Sequence, residues 1–127
     1  RITRGYADRD VWGMDSWMLE ILPPMLRQLA NGSGHPTSYT AEQWEDKLNS
    51  IADVIESAQE EVMETKNEYA DAYYKILDKC IGIGKEEEPI RKLYYLREEE
   101  LYNERMDLIE DAGHELFNRN VFPGLWD

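Results

Sequence analysis

The chain has 127 residues, with 14 Lys and Arg against 27 Asp and Glu for a net charge of −13, 42% hydrophobic residues and one cysteine. That length suits one domain with one core, no apolar run approaches the ~20 residues that span a bilayer, and a single cysteine excludes an intrachain disulfide framework or a cysteine-built zinc cluster. The negative excess disfavours direct nucleic-acid binding, which rests on Lys and Arg neutralising phosphates, and it lies wholly in residues 41–127.

Arg1 to Tyr6 has no period and reads as an arm. Asp8 or Asp10 can cap the helix that follows, in which Val11, Met14, Trp17 or Met18, Ile21, Met25 and Leu29 recur at helical spacing. Pro23 and Pro24 lack amide protons and crowd the preceding turn, so this first helix, residues 8–30, is expected to kink or divide near Leu22. Residues 31–38, with two glycines and a proline, mark a loop.

The stretch 39–80 organises the rest. Thr40 and Gln43 form a capping box, and Tyr39 and Trp44 occupy the positions of a hydrophobic staple. Trp44, Leu48, Ile51, Ile55, Ala58, Val62, Thr65, Tyr69, Ala72 and Ile76 then make a seam in steps of three and four, with no Gly or Pro from Ala41 to Lys79. The pattern predicts one uninterrupted helix over 41–79, roughly 58 Å long at ~1.5 Å per residue. Cys80 reads as a seam residue at its end and Gly82 as its stop.

Glu86, Glu87 and Glu88 suit the positive end of a third helix, with Pro89 in its first turn. Over 88–117 two apolar stripes run side by side. One comprises Ile90, Tyr94, Leu101, Leu108 and Ala112, the other Tyr95, Tyr102, Met106, Ile109 and Leu116. Two stripes imply two neighbours. The tail, 118–127, carries Val121, Phe122, Leu125 and Trp126 and is expected to fold back onto the open end of the hairpin. The fold class expected is all-α: a three-helix bundle built on a long antiparallel hairpin, with a Pro-kinked N-terminal helix, in a single domain.

Glu61, Glu64, Glu68 and Asp71 share a strip of the long helix. With Glu104 and Asp107 this resembles the acidic helices of the all-α nucleoside triphosphate pyrophosphohydrolases, which hold magnesium. A solvated face, with Lys66 and Lys75 as ion-pair partners, is the simpler reading. Asp111 and His114 have the spacing of a di-iron bundle motif, but a second copy is missing. No nucleophile motif or phosphate-cradling loop is present, so neither catalytic residue, metal site nor cofactor is expected.

The residues singled out for partner binding are Glu56, Glu60, Glu61, Glu64, Glu68 and Asp71, which lie off the seam, with Tyr74 and Tyr94. Tyr73-Tyr74 and Tyr94-Tyr95 flank the hairpin turn, and adjacent helical residues point about 100° apart, so one of each pair should face outward. Exposed tyrosines among carboxylates typify protein-binding surfaces.

Arg4-Gly-Tyr-Ala-Asp-Arg-Asp-Val-Trp12, Ile21-Leu-Pro-Pro24, Gly34-His35-Pro36, Glu42-Gln-Trp44 and Leu125-Trp126-Asp127 together resemble a family of small uncharacterised proteins of tailed bacteriophages. The resemblance covers about half the chain and implies a phage origin, a helical fold and the cytoplasm of an infected bacterium, but no known activity. The expectation is a non-enzymatic accessory protein that binds a partner protein with a basic surface, such as a host nucleic-acid-binding or defence protein, with no direct nucleic acid and no membrane. The alternatives are a virion or homo-oligomeric structural protein and a magnesium-dependent nucleotide pyrophosphohydrolase.

Overall fold

The computed structural model describes residues 7–78 and 88–125, apart from the side chains of Arg9 and Asp10. Among these residues the chain is all-helical: α1 Asp8–Trp12, α2 Met14–Ala30, α3 Ala41–Ser57, α4 Glu60–Glu64, α5 Ala70–Asp78, α6 Glu88–Leu116 and a 3₁₀ turn, Phe122–Gly124. The expected features at Cys80, Gly82 and Trp126 fall outside the described residues. No helix among the described residues is long and apolar enough to cross a membrane.

The expected division of the first helix near Leu22 does not occur. Helix α2 runs through Pro23 and Pro24 without interruption, and the path breaks at Gly13 instead. Proline at position 23 cannot supply the amide that would bond the Leu19 carbonyl. Gln59 Nε2 donates to that oxygen at 2.9 Å, and the Pro23 ring is itself fully buried. A remote side chain thus makes good one of the bonds the prolines remove.

The uninterrupted helix over 41–79 is corrected to three, α3, α4 and α5. Its start is as the sequence implies. Gln43 N donates to Thr40 Oγ1 at 3.1 Å, Thr40 N donates to Gln43 Oε1 at 2.9 Å, and the rings of Tyr39 and Trp44 lie 5.3 Å apart. The seam holds through Trp44, Leu48, Ile51, Ile55 and Ala58, all buried.

Beyond Ala58 the phase changes. The Ala58 carbonyl accepts from Arg105 Nε at 2.8 Å, and Gln59 is extended, with φ −67° and ψ 143°. The two residues outside the helices, Ala58 and Gln59, shift the buried positions to Met63 and Asn67, so Val62 is exposed instead. A second break follows over 65–69. Asn67 Oδ1 accepts from Tyr69 N at 3.0 Å, while its Nδ2 donates to Glu98 Oε1 at 2.7 Å and to the Tyr94 carbonyl at 3.3 Å. A buried asparagine that serves its own backbone and two groups on α6 competes successfully with helix continuation. Tyr73 then becomes the buried residue of α5, and Ala72 is exposed.

The core joins Leu26 and Ala30 of α2, Trp44, Leu48, Ile51, Ala52 and Ile55 of α3, Ala112 and Leu116 of α6, and Val121 of the tail. Each large apolar side chain so buried contributes about 2 kcal/mol. Helix α3 is the central member: α2 makes the most extensive interface with it, and α6 packs on it as well. As the chain advances from Lys47 to Tyr74 its partners on α6 retreat from Glu115 through Glu104 and Glu98 to Tyr94.

Asn118 turns the chain at the end of α6. Its Nδ2 donates to the His114 and Glu115 carbonyls, and its Oδ1 accepts from Asn120 N and Val121 N. Val121 is thereby returned to the core, and Gly124 comes against the loop and α3. A Cβ at Gly124 would lie 2.6 Å from Pro36 Cγ and 2.9 Å from Trp44 Cη2. Phe122, expected to dock, stays exposed and stacks on Phe117, with ring centroids 5.4 Å apart.

Candidate functional site

The eight residues singled out from sequence do not form one face. Glu56 is held by Arg27, whose Nε and Nη2 donate to its two carboxylate oxygens at 3.1 and 3.0 Å, while the same guanidinium reaches Asn49 at 3.2 Å and Asp53 at 2.6 Å. Asn49, Asp53 and Glu56 recur at helical spacing on α3, so a single planar fork grips three successive positions. Hydrogen bonds to Glu56 and then Asp53 raise the Arg27 pKa above its already high ordinary value. Glu56 therefore ties α2 to α3.

Glu68 accepts from Arg97 Nε at 3.1 Å, and Glu60 lies 4.0 Å from Arg105. Glu61, Glu64 and Asp71 are exposed and have no cationic partner among the described residues. The expected strip from Glu61 to Asp71 is interrupted by the break at 65–69, which sets Glu68 and Asp71 on a different path from Glu61 and Glu64. Lys66 pairs across to Glu104 on α6, at 3.1 Å, and not with the strip. Lys75 has no carboxylate partner among the described residues. No group of three or more His, Cys, Asp or Glu among the described residues is gathered closely enough to hold a metal.

The four tyrosines form one cluster. Tyr73 is buried and stacks on Tyr94, with centroids 4.2 Å apart and planes 13° from parallel. Tyr73 and Tyr95 share a hydroxyl hydrogen bond at 2.9 Å, and Tyr74 and Tyr94 share another at 3.2 Å. Tyr74 and Tyr95 are the exposed members, whereas Tyr94, expected outside, is half-buried under the stack. The bond to Tyr95, then burial, raises the Tyr73 pKa. The bond to Tyr74, burial and the nearby Glu98 raise that of Tyr94.

Two of the expected carboxylates do meet. Glu60 and Glu64 line a cleft of about 240 Å³ between α4 and α6, together with Glu98, Tyr102 and Arg105, over buried Met63 and Leu101. Glu98, Tyr102 and Arg105 were not foreseen as site residues. Their spacing, with Leu101, marks one face of α6, but only the altered phase of α4 brings Glu60 and Glu64 opposite them. Chemically the cleft offers an apolar floor with three carboxylates, a phenol and one guanidinium, that of Arg105, around it, an acidic excess suited to a long side chain with a positive head.

Comparison of the chain with known protein families, with curated proteins and with solved structures finds no match.

Proposed function

We propose that this is a protein-binding accessory protein whose acidic α4–α6 face recognises a basic segment of a partner. The observation that carries the reading is the Glu60–Glu64–Glu98–Tyr102 cleft over Met63 and Leu101. A Lys or Arg stem lies on that floor while its head meets the rim carboxylates, so apolar and charged recognition coincide in one place. The distribution of positive charge adds support: Lys47, Lys66, Lys92, Arg97 and Arg105 each lie within 4.0 Å of a carboxylate of this chain, leaving Glu61, Glu64 and Asp71 facing solvent. Functionally, α2, α3 and α6 act as a three-helix bundle, and α4 and α5 with the first half of α6 act as an antiparallel hairpin arm that presents the cleft. With the resemblance to small phage proteins, the partner class favoured is a basic nucleic-acid-binding or defence protein of a bacterial host.

Charge reversal tests the reading. Glu60→Lys combined with Glu64→Lys should abolish binding of a Lys- and Arg-rich peptide while helical content and unfolding midpoint stay near those of the parent. Undiminished binding by the folded double variant contradicts it.

A further inference from the structure

A second surface extends this reading. Helices α2 and α6 both pack on α3 without forming a comparable interface with each other, and between them lies a groove of about 480 Å³. Ile55, Ala112 and Leu116 lie along it, with Met18 and Leu22 on the α2 side and Met106 and Ile109 on the α6 side. Met106, Ile109 and Leu116 belong to the second apolar stripe of α6, and Ala112 to the first. The first stripe finds α3 and the arm; the second borders the groove through Tyr102, Met106 and Ile109, while Leu116 at its end is buried in the core. A helix with two apolar stripes ordinarily meets two neighbours, and among the described residues none covers the groove side of the second stripe.

We propose that the groove receives a cationic amphipathic helix from the partner protein as a fourth helix on the bundle. Three observations select that occupant. The groove follows α6 from Tyr102 to its end at Leu116, about 21 Å at roughly 1.5 Å per residue, the length of a four-turn helix. Gly113, in the last turn of the 29-residue α6, lines the groove, and a Cβ there would meet nothing within 4 Å. No packing among the described residues requires a glycine at that point, and its absence of a side chain leaves room for an incoming helix. Charge then decides between a foreign helix and a second copy. Asp15 and Arg105 are the charged residues that line the groove, and at Tyr102 and Arg105 it meets the cleft holding Glu60, Glu64 and Glu98, so acidic groups outnumber basic ones along the joined surface. A second copy brings its own net charge of −13 against these groups, whereas a helix with Lys and Arg flanking an apolar face complements them. The methionines on both sides of the groove adapt readily to such a face.

The inference rests on the protein-binding reading but concerns a different surface, and methionine methyl resonances separate the two. Met18 and Met106 report on the groove, and Met63 reports on the acidic cleft. The probe is a helical Leu/Lys peptide of about 15 residues, compared with a scrambled peptide of equal composition that lacks an apolar face. The helical peptide should shift Met18 and Met106, and Gly113→Leu should weaken it at least about tenfold while leaving the scrambled peptide's binding and the fold unchanged. Shifts confined to Met63, or equal affinity for the Gly113→Leu variant, overturn the groove proposal and leave the acidic cleft standing. Concentration-dependent dimerisation that shifts Met18 and Met106 without peptide assigns the groove to a second copy and overturns it as well. Failure of both peptides to bind removes both proposals.

Discussion

Gln59 donates its side-chain amide to the backbone oxygen of Leu19 at 2.9 Å, the acceptor that Pro23 leaves without its helical donor. The two irregularities of the fold thereby complement each other, since the residue that ends α3 repairs the ladder of α2. Gln59→Ala should cost about 1–2 kcal/mol, because a partly buried carbonyl loses its partner. Restoring an amide with Pro23→Ala gives Leu19 an alternative donor, so Gln59→Ala should cost less in that background. Urea unfolding of the four proteins in a double-mutant cycle measures the difference, and strict additivity contradicts the relationship.

Arg27→Lys should lower the urea midpoint clearly, since an ammonium cannot reproduce the fork that holds Glu56, Asp53 and Asn49 at once. Lys92→Ala removes only an exposed i,i+4 pair of 3.7 Å and should leave the midpoint almost unchanged. Equal effects of the two substitutions argue against Arg27 as the tie between α2 and α3.

Gly124→Ala should destabilise by about 1–3 kcal/mol, the usual cost of overpacking, because its methyl meets Pro36 Cγ at 2.6 Å and Trp44 Cη2 at 2.9 Å. Trp44 is fully buried, so denaturant unfolding followed by tryptophan fluorescence reads the change. Gly113→Ala should do the opposite. Its Cβ enters open space, and alanine gains up to about 1 kcal/mol over glycine inside a helix.

The tyrosine cluster should make stability fall at alkaline pH. Tyr73 and Tyr94 have raised pKa values in the folded chain, through the hydroxyl bonds to Tyr95 and Tyr74 and through burial. An unfolded tyrosine releases its proton near pH ~10. Above that pH the native state therefore holds more protons than the unfolded state, and stability falls as pH rises. The contribution is fully present below pH ~10 and is lost as pH climbs through the folded values. Ultraviolet phenolate titration should show two of the eight tyrosines ionising last, and Tyr95→Phe should bring Tyr73 forward. A single uniform transition contradicts the coupling.

Local signals in the sequence translate directly into structure. The Thr40–Gln43 box, the Tyr39–Trp44 staple and the buried run from Trp44 to Ala58 are all set by neighbours within a few residues. The breaks after Ala58 and around Asn67 carry no Gly or Pro and depend on groups far along the chain: Leu19, Tyr94, Glu98 and Arg105. An uninterrupted period therefore concealed them. The same distance hid the fate of Glu56, whose captor lies 29 residues away. On α6 the second stripe is visible as an apolar pattern, but only the separation of α2 from α6 shows that it lines a groove. Within the candidate site, Glu60 and Glu64 are legible as acidic surface residues. Their meeting with Glu98 and Tyr102 follows from the phase shift at Gln59, which the seam alone does not contain.

The most direct test of recognition by the acidic cleft is the salt dependence of affinity for a basic, Lys- and Arg-bearing peptide, followed by fluorescence anisotropy. Recognition through Glu60, Glu64 and Glu98 predicts binding that weakens steadily from low to high ionic strength as the Debye length shrinks from ~30 to ~3 Å. Affinity that stays the same across that range contradicts it.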